Sequence, residues 1–421
     1  KKRMCLRSEF RMQGPWQSKT YINGEKSQLR RNIGRQGGEV LIYLDNAATT
    51  FPKPQEVIRE NCRCMESYCG NPGRGSHRMA VRASEALFRC RAAAAELLGC
   101  PQAERVAFTL NATYALNMAI KGLVPPGSHV VISDMEHNSV LRPVEKLRTE
   151  YGVSYSVFST GGGEDAVINS LCENIKENTS AVICLHASNL IGRVLPAKRI
   201  GDICRERGIK FILDASQSAG TVPINADDWG VDVLCAPGHK GLLGPQGIGI
   251  MVFGSDLNVN TLVEGGSGAD SSLTVMPDYL PDRMEAGTMP TPAAAGLLRG
   301  IEYVLKRGER TIAANEKALA AYVRRELERD GHYQVWGDGG NDFEGGLLLI
   351  TDGKRSPQKL GAALDSMGIC VRSGLHCAPL AHKTLGTPEG GGVRVSFGPF
   401  NTKKHADALL SALSALKKGN L

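Results

Sequence analysis

Between residues 181 and 241 three apolar runs stop abruptly on polar residues, and a helical pattern joins the first two. Ala181 to Leu185 ends in His186-Ala187-Ser188-Asn189, Ala197 to Arg207 repeats at helical spacing, and Phe211-Ile212-Leu213 halts on Asp214. A strand–helix–strand unit of about thirty residues implies a right-handed parallel crossover. A further short strand, Val231 to Ala236, breaks into Pro237-Gly238-His239-Lys240-Gly241. Ligands of such sheets bind beyond the carboxyl ends of the strands. The chain is therefore expected to be α/β, with a mainly parallel sheet and a site along that edge.

The same edge collects more chemistry. Phe108-Thr109-Leu110 reads as a strand that runs through Asn111-Ala112-Thr113 into a helix marked by Leu116, Ala119, Ile120 and Leu123. The first amides of a helix lack partners and its dipole is positive there, which favours a phosphate; Thr113 equally suits an N-cap. The strand Val130 to Ser133 leads into Asp134-Met135-Glu136-His137, where a lone histidine is ordinarily a structural hydrogen bonder. A carboxylate at a buried strand end, such as Asp214, costs free energy unless it faces a cation. Lys240, set among glycines, sits on a loop that another molecule can approach closely. Amine and carboxylate in one crevice suit an aldehyde cofactor with a ring nitrogen: lysine condenses with the aldehyde and aspartate keeps the pyridine nitrogen protonated. Taken singly, such an Asp caps a turn and such a Lys is solvated. Their convergence with Asn111, His137 and Asn189 at strand ends sets them apart.

A second stretch lies near the far end, Gly368 to Ala378. Cys370 falls in an apolar strand and is expected to pack. Cys377 follows Gly374 and His376 on what should be a mobile loop. A free thiol has a pKa of about 8.5, so a reactive one needs a cationic setting; His376 and Arg372 are the candidates. Arg394 sits inside an expected strand, Gly392 to Ser396. Its fork suits a substrate carboxylate as well as an ordinary ion pair.

Charge and cysteine usage exclude other classes. Residues 1–40 carry ten Lys/Arg and three Glu, the whole of the net +7, and the rest balances to zero. No electrostatic argument for nucleic acid remains once that segment is set aside. The segment lacks apolar periodicity and is expected to be disordered. Its Arg-rich, acid-poor composition imitates a transit peptide, but Gly-Pro, Gly-Gly and the lack of an amphipathic helix argue for an upstream extension or an added segment. No run reaches the ~18–20 apolar residues of a membrane span. Twelve cysteines without a CxxC or a secretory signal point to a reduced, cytoplasmic protein. Cys62, Cys64 and Cys69 cluster, but nothing completes a metal site, so a helix face is expected and no metal.

The segments DASQ (214–217), GHKGLLGPQGIG (238–249) and RSGLHCAP (372–379) closely resemble those of class V aminotransferase-like enzymes, cysteine desulfurases in particular. The resemblance runs from about Ile42 to the C-terminus, and its cysteine segment is similar to the short-loop, selenocysteine-lyase-like branch. It implies a type I pyridoxal 5'-phosphate (PLP) transferase fold: a basic leader (1–40), a segment at the active site (41–55), a large cofactor domain (56–300) and a small α/β domain with the cysteine loop (301–421). It assigns Lys240, Cys377 and His137 to catalysis, with His137 stacked on the cofactor ring. Asp214 falls to the ring nitrogen and Asn189 and Gln217 to the phenolic oxygen side. Ala112, Thr113 and His239 fall to the phosphate, aided by Thr288 from a second subunit of a homodimer. Pro237 stands where many relatives carry Ser or Thr, removing a phosphate ligand. Arg394, with Asn189 and Arg372, would hold the substrate. The implied activity converts L-cysteine to L-alanine and leaves a persulfide for an acceptor protein, as in iron–sulfur cluster assembly. A lyase for L-selenocysteine or another class V lyase or aminotransferase is the alternative; a non-catalytic scaffold of the same fold is the rival from another class.

Overall fold

The computed structural model of the chain describes residues 35–36, 39–73, 75–254, 257–268, 270–337 and 345–419. The leader expected to be disordered therefore lies outside the described residues, apart from Arg35–Gln36 and Glu39–Val40, which pair antiparallel within residues 1–41. The glycine-rich stretch 337–341 reads as a turn in the sequence and falls outside them after Gly337.

Residues 42–421 form a second unit built on two principal sheets. The larger contains β1 (Val106–Thr109), β2 (His129–Ser133), β3 (Ser154–Phe158), β4 (Thr179–Leu185), β5 (Lys210–Asp214), β6 (Val233–Pro237) and β7 (Gly249–Phe253). Their order is β1-β7-β6-β5-β4-β2-β3. Strands β2 to β6 pair in parallel, whereas β7 runs antiparallel to both β6 and β1. Two reversals cancel, so β1 to β6 all point the same way and end on one edge.

The unbroken apolar runs follow from burial on both faces. In β5, Phe211 and Leu213 enter the core on one side and Ile212 the core on the other. The first core is closed by α2 (Arg78–Leu98), α5 (Glu164–Asn174), α6 (Ala197–Glu206) and α7 (Thr291–Arg307), with α1 (Gln55–Ser67) packed outside α7. The second core is closed by α3 (Ala112–Leu123) and α4 (Asn138–Tyr151). The Lys240 loop is wedged tightly: a Cβ on Gly241 would meet the Ala219 carbonyl at 2.3 Å, and one on Gly300 of α7 would meet the Leu242 carbonyl at 2.2 Å. Only glycine allows these approaches.

The smaller sheet holds β8 (Tyr333–Trp336), β9 (Leu347–Asp352), β10 (Arg372–Gly374) and β11 (Gly392–Ser396) in the order β8-β9-β11-β10, all antiparallel. It packs with α8 (Glu309–Asp330), α9 (Pro357–Asp365) and α11 (Lys403–Lys417) around a core that also takes in Leu44. A short helix, α10 (Pro379–Leu385), follows the cysteine loop. Register sets Arg372 of β10 directly opposite Arg394 of β11. Like charges so placed repel, and a carboxylate is needed nearby.

Candidate active site

A cleft of about 680 Å3, partly open to solvent, lies beyond the carboxyl ends of β1, β2, β4, β5 and β6. Asn111, His137, Asn189, Asp214 and Lys240 all line it, as the strand-end pattern requires; Ala112, Thr113, Gln217, His239 and Pro237 line it too.

Asp214 ends β5 nearly buried, and one carboxylate oxygen accepts the Ser216 N–H at 2.9 Å. Lys240 is half-buried, and burial pushes its amine down to about 8; Arg394 and Arg372 push the same way, while Asp214 and Asp45 oppose them. His137 caps α4: its Nδ1 accepts the Ser139 N–H at 3.0 Å and lies 2.8 Å from the Ser139 hydroxyl. Burial holds His137 down to about 4, so near neutrality it is uncharged, with its proton on Nε2. The N-cap of α3 is Asn111, whose Oδ1 accepts the Tyr114 N–H at 3.0 Å. Thr113 is therefore no cap, and its exposed side chain is free to serve the helix N-terminus, where the Ala112 and Thr113 amides precede the first intrahelical bonds.

Two buried polar atoms of cleft residues, Asn189 Oδ1 and His239 Nδ1, have no hydrogen-bond partner among the described residues. Such an atom costs about 1–3 kcal/mol unless a ligand satisfies it. Gln217 Nε2 donates to the Ala47 carbonyl at 3.0 Å, tying the cleft wall to the N-terminal segment. These groups fit a planar ring with an oxygen near Asn189, a nitrogen at Asp214, an aldehyde at Lys240 and a phosphate at α3 and His239.

The cysteine turn comes to the same edge. Asn138 N–H donates to the Cys377 carbonyl at 2.7 Å, and Asn189 Nδ2 donates to the His376 carbonyl at 2.9 Å. Both turn residues are left-handed, with φ of 52° at His376 and 57° at Cys377. The loop expected to be mobile is thus a pinned, strained turn. Arg372 Nη2 lies 3.6 Å from Cys377 Sγ and supplies the cation beside the sulfur. His376 does not: it is buried, and burial together with Arg394 drives it down to about 3, so it is neutral. Cys370 is half-buried in the two-residue strand Ile369–Cys370 beside Ile42–Tyr43, and its thiol is pushed up by burial.

Arg394 is 1 % exposed; its guanidinium bonds Asp45 at 2.9 Å and the Asn189 carbonyl at 3.0 Å, while Nε is buried without a partner among the described residues. Asp45 is the carboxylate that offsets the Arg394 side of the facing arginine pair. A buried ion pair with one donor unspent can take a second carboxylate. Exchanging Arg394 for lysine removes the fork; a charge-assisted hydrogen bond is worth about 1.5–3 kcal/mol, so for a substrate whose carboxylate the fork holds, KM should rise roughly 10- to 100-fold with a smaller change in kcat. Steady-state kinetics of Arg394→Lys check this, and an unchanged KM would leave Arg394 as Asp45's partner only.

Thr288 is exposed and does not line the cleft. Its segment is anchored by Glu285, which accepts from both Arg91 nitrogens at 2.6 and 2.7 Å and from the Phe108 N–H at 2.6 Å. Sequence reasoning missed Asp45, Lys53 and Glu136 as parts of the site. Lys53 donates to the His239 carbonyl at 2.6 Å, and burial pushes its amine down to about 8. Glu136 follows the end of β2, bonds the Ser133 hydroxyl and the Leu185 N–H, and is pushed up to about 8 by burial. For Glu136 a signal existed: like Asp214 it is an acidic residue at the end of an apolar run. For Lys53 there was none.

The family model described as Aminotransferase class-V matches residues 42–409. A probable cysteine desulfurase of Methanothermobacter thermautotrophicus is 32% identical over 383 residues, covering 89% of this chain and 94% of that protein. Among solved structures, the apo cysteine desulfurase of Thermococcus onnurineus NA1 superposes with a TM-score of 0.84 at 30% identity, covering 90% of this chain and 95% of that one. The cysteine desulfurase CsdA of Escherichia coli shares the fold, with a TM-score of 0.81 at 24% identity over 93% of this chain and 98% of that one.

Proposed function

We propose that this chain, which belongs to the Aminotransferase class-V family, is a cysteine desulfurase that uses pyridoxal 5'-phosphate to turn L-cysteine into L-alanine and holds the sulfur on Cys377. One observation carries the reading: the carbonyl of Cys377 is bonded to Asn138, next to His137, so the thiol's turn meets the cleft that Lys240 and Asp214 line.

PLP, when bound, supplies an electron sink for the substrate's Cα. Thr113, the Ala112 amide and His239 would hold its phosphate in place of the ligand that Pro237 removes; Thr288 of a second copy of the chain would add to them. Asp214 would hold its ring nitrogen, Asn189 and Gln217 its phenolic side, and His137 would lie against the ring. Arg394 orients the substrate carboxylate. Lys240, a free amine once the substrate is in place, accepts the Cα proton at Nζ and returns it later. Cys377 attacks the substrate sulfur: an S–S bond forms, the Cβ–S bond breaks, and its electron pair stays with carbon, where a proton adds. Thiol plus cysteine thus become persulfide plus alanine, with sulfur oxidised and carbon reduced in balance. A second thiol, on an acceptor protein or a small molecule, then takes the sulfur.

Because Lys240 must be unprotonated to take the proton, kcat should rise with pH through about 8 and level off above it. Alanine formation from cysteine across pH, with sulfide measured in the presence of a thiol reductant, tests both statements. No alanine at any pH sinks the function; a flat kcat between pH 6 and 9 sinks Lys240 as the base.

A further inference from the structure

The Cys377 turn is held from the cleft side by Asn138 and Asn189, and from the opposite side by a chain of three side chains to which the proposed reaction gives no part. His376 Nε2 lies 3.0 Å from the Arg372 carbonyl, His376 Nδ1 lies 3.4 Å from His382 Nε2, and His382 Nδ1 lies 2.7 Å from the Thr387 hydroxyl. Both histidines are 3% exposed and both are held below their ordinary pKa by burial.

The proton positions follow by elimination. A carbonyl oxygen only accepts, so His376 must carry its proton on Nε2. Being neutral, it then offers a lone pair at Nδ1. His382 Nε2, facing that lone pair, must be N–H, which leaves His382 Nδ1 as an acceptor. Thr387 donates to it at 2.7 Å, and the His382 carbonyl, 3.3 Å from the same hydroxyl, is the longer of its two acceptors. Every link points one way, from Thr387 through His382 and His376 to the backbone of Arg372, the residue whose guanidinium sits beside the sulfur.

The chain also spans the strained part. His376 and Cys377 are consecutive non-glycine residues at positive φ, a conformation that crowds the Cβ and persists only where neighbours hold it. His382 belongs to α10, and Thr387 follows that helix, with its N–H bonded to the His382 carbonyl at 3.1 Å. Helix α10 is thus tied to the turn through an imidazole edge and not only through packing.

The geometry points to His382 and Thr387 as positioning residues for Cys377: they fix the tautomer and the orientation of His376, and through it the left-handed turn that presents the sulfur. This rests on the reading of Cys377 as the sulfur acceptor.

The test compares His382→Leu with His382→Gln, which retains an N–H donor toward His376, and Thr387→Val with Thr387→Ser, all as the cofactor-loaded enzyme. A displacement of about 1 Å at a reacting atom costs up to roughly 100-fold. His382→Leu is therefore expected to lose 10- to 100-fold in kcat for alanine formation with KM for cysteine within about twofold. His382→Gln should recover most of that loss. The rate of iodoacetamide labelling at Cys377, located by mass spectrometry and referenced to the exposed Cys62, should change in His382→Leu and return in His382→Gln. Equal kinetics and equal labelling for the two His382 variants overturn the proposal. If His382→Leu does not fold, the Thr387 pair decides it: Val impaired and Ser restored supports the chain, and Val equal to Ser overturns it. A Cys377→Ser enzyme with full turnover would instead overturn the reading of Cys377, while the labelling comparison would still report whether the chain sets the turn.

Discussion

Lys240→Ala is expected to lower alanine formation from cysteine by roughly 10³-fold or more, the range lost with a positioned general base. The loss should be that large because the cleft has no understudy. The other lysine near the loop, Lys53, does not line the cleft, and its amine is spent on the His239 carbonyl. Borohydride treatment of the cofactor-loaded wild type should fix a pyridoxyl group to the peptide containing Lys240, and the variant should show none. Lys240→Arg should be as inactive as the alanine variant, since a guanidinium keeps the charge but is always protonated. An alanine variant retaining a tenth of the wild-type rate would remove Lys240 from the chemistry.

Cys377→Ser should divide the reaction in two. Arg394, Asp214 and Lys240 remain in place, so cysteine still binds and still changes the cofactor's absorption spectrum. Alanine production should fall to background, and mass spectrometry should find no added sulfur on the 372–379 segment, where wild type gains the mass of one sulfur atom. A serine hydroxyl lacks both the nucleophilicity and the accessible anion of a thiol. Persulfide appearing at another cysteine with turnover intact would transfer the role away from Cys377. Cys184 and Cys235 are poor candidates for it: both lie in strand interiors, and burial holds both thiols well above their usual range.

Much of this arrangement was legible in the sequence because strand ends are where apolar runs meet polar residues. Leu185, Leu213 and Ala236 are each followed within a few positions by a cleft residue, and the parallel crossover dictated that those ends share an edge. β7 was not legible as a reversed strand: its residues follow a glycine-rich loop, and nothing local distinguishes an antiparallel strand from a parallel one when both faces are buried. Strand β6 begins at Val233, two residues later than its apolar run, because Val231 and Asp232 turn into the sheet from the preceding loop. The Asp45–Arg394 pair escaped notice because it joins residues 349 positions apart. The charge of His376 was misjudged for a related reason. A histidine beside a cysteine suggests a cation, and only tertiary burial makes it neutral.

The fastening of the cysteine turn governs how sulfur can leave. A nucleophile carried on a long tether could swing outward and deliver its cargo at the surface. Here the carbonyls of His376 and Cys377 are moored to Asn189 and Asn138, so a sulfur loaded on Cys377 would stay at the mouth where it was made. Whatever collects it must come in: a slender thiol, or a protein with a finger narrow enough to enter, and never a broad flat face.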